Sequence, residues 1–142
     1  MAAIGWQGWA LLSAVFAGLT AILAKVGVEG VDPDIATFIR TLVIVAILGV
    51  LLLVTGQKIG VVSARAYLFL TLSGLATGAS WLCYFRALSL GDAAQVAPLD
   101  KLSVVLVAIF AVIFLGERLT MRDAAGIALI TVGAILVATG RA

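Results

Sequence analysis

Five long apolar stretches, separated by short polar interruptions, set the pattern of this chain: residues 7–27, 33–55, 66–89, 96–115 and 123–140. Each can cross about 30 Å of hydrocarbon, which takes roughly 20 apolar residues in a helix. The interruptions, Glu29 to Asp32, Gly56 to Ser63, Leu90 to Ala94 and Gly116 to Arg122, hold most of the remaining polarity and leave no stretch for a soluble domain. The pattern predicts an all-α integral membrane protein, a single domain over residues 1–142 with five transmembrane helices. Trp6 and Trp9 fall where the first helix would meet the interfacial aromatic belt. No positive charge precedes that helix, and its apolar run exceeds the core of a cleavable signal, so it is expected to be retained.

Within the stretches, small and polar residues mark the faces that should do more than meet lipid. In the first, Ala10, Ser13, Ala14, Ala17, Gly18, Ala21, Ala24 and Lys25 share one arc, opposite Leu12, Val15, Phe16, Leu19, Ile22 and Leu23. A small face packs closely or lines a cavity, and Ser13 is the candidate polar contact on it. The second opens with Asp32-Pro33, an N-cap and a proline suited to the first helical turn. Arg40 follows about 10 Å further along the axis, where it either snorkels to the headgroups or serves a polar cavity.

The third stretch carries Gly74 and Gly78 in a GxxxG spacing that permits close helix contact, and continues that stripe through Thr77, Trp81, Tyr84 and Phe85. Trp81 and Tyr84, apolar bodies with polar handles, are the candidate wall for an organic substrate; as filler in the bundle they would serve equally well. Arg86 lies off this stripe. The fourth stretch places Pro98, Asp100 and Lys101 just inside its start. Charge in hydrocarbon costs roughly 2.5–3.5 kcal/mol per residue at a helix centre, so Asp100 and Lys101 mark either an interfacial helix start or a binding and coupling site. Gly126, Gly133 and Gly140 recur seven apart in the last stretch, a packing face suited to a dimer.

Composition sharpens the class. The chain is 64% hydrophobic and 11% charged, against about 25% charged for soluble domains. With no His and one Cys, Cys83, it lacks the means for an imidazole metal site, a Ser-His or Cys-His nucleophile pair or an intrachain disulfide. No enzyme activity, cofactor or metal is expected, and a net charge of +2 without a basic run gives no reason to expect nucleic acid.

Five spans put the termini on opposite sides. Lys58, Arg65, Arg118 and Arg122 fall on the N-terminal side, and Lys25, Arg40, Arg86, Lys101 and Arg141 on the other. So even a split gives the positive-inside rule little purchase, and insertion in both orientations would produce an antiparallel dimer. Inverted repeats with a site near the midplane are a common basis of alternating access, and five helices are half of such a machine.

Ala87-Leu88, Gly91, Val96-Ala97-Pro98-Leu99, Leu115-Gly116-Glu117-Arg118-Leu119-Thr120 and Gly126 through Leu129-Ile130 to Gly133, in that order and spacing, resemble the EamA domain of the drug/metabolite transporter superfamily. Members of that superfamily typically carry two such domains in inverted orientation, so this chain looks like a half-size member. The resemblance implies a cavity lined by the first, third and fourth helices. It also implies that Pro98 kinks or starts the fourth helix beside that cavity, and that Glu117 is a loop residue with a structural role. Asp100-Lys101 departs from the family pattern, which gives the pair no assignment. The plan is also similar to that of the four-helix small multidrug resistance proteins, but the carboxylate they use in the first helix has no counterpart here.

These observations predict a secondary transporter of small metabolites working by alternating access as an antiparallel homodimer in a bacterial-type inner membrane. Arg40, Trp81, Tyr84, Asp100, Lys101 and Ser13 would bind substrate or couple its movement, to protons for example. Pro98, Glu117, Gly74, Gly78, Gly126 and Gly133 would be structural. Two other readings stand beside it: a non-transporting accessory protein that uses the glycine faces for assembly, and a flippase for lipid-linked metabolites.

Overall fold

The computed structural model of the protein describes residues 5–57, 60 and 62–140. Among them are five helical spans long and apolar enough to cross a membrane. The first three are α1 (Trp6–Gly27), α2 (Pro33–Thr55) and α3 (Ala64–Leu90). The fourth, Ala93–Leu115, is built from α4 (Ala93–Asp100), α5 (Ser103–Phe110) and a closing π-helical turn, Ala111–Leu115; the fifth is α6 (Met121–Thr139). Lys58 and Arg141, two of the basic residues counted above, lie outside the described residues.

Local chemistry fixes the span ends. Asp32 caps α2 by accepting from the N–H groups of Asp34 at 2.9 Å and Ile35 at 3.3 Å, and Pro33 begins the helix. At the far end Gly56 takes the left-handed conformation, φ 63°, that terminates a helix at no side-chain cost. The fourth span starts earlier than the apolar pattern predicts, because the Asp92 carbonyl accepts from Gln95 at 2.9 Å and Val96 at 3.0 Å and draws Ala93–Gln95 into the helix.

Asp100 and Lys101 therefore do not occupy a first helical turn. They sit at a tightening between α4 and α5, where the N–H groups of Lys101, Leu102, Val104 and Val105 each bond to the carbonyl three residues back at 3.0–3.1 Å. Pro98 lies inside α4, one turn before this tightening. The same span closes on a widened turn: Gly116, φ 69°, is its left-handed cap, and the N–H of Glu117 reaches back to Ala111 at 3.1 Å.

The start of α6 is held by a reciprocal cap. Thr120 Oγ1 accepts from the Asp123 N–H at 3.3 Å, and Asp123 Oδ2 accepts from the Thr120 N–H at 2.8 Å. Thr120→Ala should remove about 0.5–2 kcal/mol of stability, visible as a lower thermal unfolding midpoint in detergent. An unchanged midpoint would show that this helix end is held in some other way.

Contacts divide the chain into two compact units, Leu23–Leu90 and Met1–Ile22 with Gly91–Ala142, and the boundary falls within α1. In the first, α2 packs on α3, and the buried side chains Ala24, Val28, Thr37, Phe85 and Leu88 come from the end of α1, the start of α2 and the end of α3. Leu88 is fully buried. In the second, α4 and α5 pack on α6, with Ala21, Ala111 and Ala134 buried. The inward face of α6 runs Ile127, Thr131, Ala134, Ala138, so Gly133 lies off it and a Cβ added there would meet nothing within 4 Å. Gly74, Gly78 and Gly126 likewise face open space.

Candidate functional site

The unit Leu23–Leu90 gathers charge at one end of its helices. Asp34, in the first turn of α2, pairs with Arg86, near the end of α3, at 2.8 Å; Arg40, further along α2, meets Trp81, further back along α3. The two pairings run in opposite senses along the helices, which are therefore antiparallel and bring the start of one beside the end of the other. Lys25, in the last turn of α1, donates from Nζ to the Leu88 carbonyl at 2.8 Å and so satisfies one of the carbonyls that a helix C-terminus leaves without a partner.

Arg40 meets aromatic rings of α3 instead. Its Cζ lies 4.1 Å from the centroid of the Trp81 ring and 5.5 Å from that of Phe85. Arginine over an indole face is attracted by the ring quadrupole, by about 2 kcal/mol or more when desolvated. Tyr84 is half-buried on the same helix and close enough to Arg40 to interact with it electrostatically. Among the described residues no carboxylate or carbonyl accepts a hydrogen bond from Arg40, and Asp34, the carboxylate in the first turn of the same helix, is engaged with Arg86.

The threonines of this unit offer no comparable polar group. Thr37, Thr41, Thr55, Thr71 and Thr77 each turn the hydroxyl back on the carbonyl four residues earlier at 2.7–2.9 Å. In the other unit a groove of about 570 Å³ between α5 and α6 is lined by Val105, Ile109, Val112, Ile127 and neighbouring apolar residues. Its one hydroxyl, Thr131, is bonded to the Ile127 carbonyl at 2.8 Å, so the groove is suited to hydrocarbon and not to a polar solute.

Residues 4–139, nearly the whole chain, match the EamA-like transporter family. The chain belongs to that family. A protein of Sinorhizobium sp. named "Uncharacterized transporter in cobO 3'region" is 60% identical over 135 residues, which cover 94% of this chain and 96% of that one. No solved structure matches. This EamA-like protein is accordingly a multi-pass integral membrane transporter of the drug/metabolite type, and a small molecule is the class of substrate that its family implies.

Of the residues singled out from sequence, this EamA-like chain brings Arg40, Trp81 and Tyr84 together in one unit. Ser13, Asp100 and Lys101 belong to the other. Ser13 is exposed on α1. Asp100 and Lys101 pair with each other at 3.2 Å and are exposed on the surface of the single chain, within the fourth span. Sequence reasoning missed the pairing of Asp34 with Arg86, the bond of Lys25 to the Leu88 carbonyl and the contact of Phe85 with Arg40. The signal for Asp34 was available: a carboxylate in the first turn of the second span and an arginine near the end of the third lie toward the same membrane face.

Proposed function

We propose that this chain is half of a secondary transporter that moves small metabolites by alternating access, two copies assembling in antiparallel orientation. The observation that carries the reading is Arg40 laid on Trp81 about 10 Å into a span, a cation and an aromatic face held together inside the membrane-spanning segment. A charge at that depth is costly unless partnered, and membrane charges commonly mark a solute or ion pathway. The open faces at Gly74, Gly78 and Gly133 leave surface for a second copy, and the even division of basic residues agrees with insertion in both orientations.

Orientation is the first test. With Cys83→Ala and a single Cys appended after Ala142, a membrane-impermeant thiol reagent should label about half of the copies in intact cells and all of them after permeabilisation, as two equally populated orientations require. Labelling of all or none before permeabilisation would end the antiparallel homodimer. Substrate movement is the second. Asp100→Asn should abolish flux in proteoliposomes while leaving the dimer intact, because the removed charge lies where the fourth span tightens. The accessory-protein reading expects activity intact in Asp100→Asn and assembly lost in Gly133→Leu.

A further inference from the structure

We infer that Arg40 is the point at which the substrate's charge is recognised, and that the substrate is a small organic acid bearing a carboxylate. The inference deepens the transport reading above and rests on it for the word substrate. Arginine carries five N–H donors in a rigid planar fork that matches a carboxylate with two parallel hydrogen bonds. Here one side of that fork is supported by the Trp81 ring at 4.1 Å and Phe85 at 5.5 Å, and none of its donors has an acceptor among the described residues. Arg40 is only half-buried, so those donors are reachable from outside the chain. The rings hold the guanidinium in place through contacts that leave its hydrogen-bonding capacity unused.

Charge bears on the class as well. Arg86 is committed to Asp34, whereas Arg40 has no carboxylate partner among the described residues, so an anion is favoured there. A cationic substrate would meet like charge. Trp81 and the half-buried Tyr84 provide apolar surface for the body attached to the carboxylate.

The test uses the full chain in phosphatidylcholine nanodiscs with Trp6→Phe and Trp9→Phe, which leaves Trp81 as the sole indole reporter. Benzoate should produce a saturable change in Trp81 fluorescence, and benzamide and benzylamine should not. Arg40→Gln should erase the response, whereas Arg40→Lys, which keeps the charge but not the fork, should weaken binding roughly tenfold. An equal response to benzylamine, an unchanged response in Arg40→Gln, or no saturable response to benzoate would overturn the inference. So would loss of benzoate binding on adding phosphatidylglycerol, since a lipid headgroup would then be the occupant. Flux measured in parallel separates the two readings. Transport of neutral or cationic solutes that is indifferent to Arg40→Gln sinks the carboxylate site alone. Benzoate binding without flux of any organic acid tested leaves the site and sinks the transporter.

Discussion

Leu88→Ala should lower the thermal unfolding midpoint more than truncation of any other described side chain in the unit Leu23–Leu90, because among the described residues there Leu88 alone is fully buried. In water-soluble cores such a change costs about 2–5 kcal/mol, the sum of a transfer term and a cavity term. Lipid is as apolar as leucine, so in a bilayer the transfer term largely vanishes and packing remains. The lower end of the range, about 2 kcal/mol, is therefore expected. The cavity would open close to the Leu88 carbonyl that receives Lys25. Leu88→Met, which keeps the volume, should cost less than about 1.5 kcal/mol. Equal midpoints for Leu88→Ala and the parent protein in detergent unfolding would mean that the three helix ends do not pack as described.

Pro98→Ala should raise stability and lower activity. Proline inside a helix removes the N–H that would bond to the carbonyl four residues earlier, here Ala94, and its ring presses on that carbonyl, at a cost of about 3 kcal/mol or more. In a membrane-spanning segment water is not at hand to satisfy the freed carbonyl. Alanine restores the bond and should raise the unfolding midpoint. It should also stiffen α4 just before the tightening at Lys101 and Leu102, where a span that must alternate between two packings would bend. A protein that is more stable and slower in proteoliposome flux is the expected result. A lowered midpoint would show that the proline is required to build the span.

How much of this could be read from the sequence differs from level to level. The five spans were legible because hydropathy and length are one-dimensional properties, and the N-cap of α2 was legible because Asp-Pro acts on its own neighbours. The start of the fourth span was displaced because Ala93, Ala94 and Gln95 are too short or too polar to extend an apolar run, yet fold readily into helix. Arg40 and Trp81 were each singled out, but their stacking depends on the rotation of α2 against α3, which no spacing within either helix encodes. The exposure of Gly74 and Gly78 follows from the same limit: a small face declares that close approach is permitted without naming what approaches.

The stacking of Arg40 on α3 also bears on how the protein is made. Spans leave the translocation machinery in chain order, so α2 enters the bilayer before the rings of Trp81 and Phe85 exist to meet its guanidinium. For that interval the charge is carried by the apolar run of α2 alone, against an insertion penalty of up to about 2.5–3.5 kcal/mol for an arginine at a helix centre. Arrival of α3 then closes Arg40 on Trp81 and Asp34 on Arg86 in one step. The two spans would then behave as one hairpin in assembly, and the Arg40–Trp81 stack forms only once both are present.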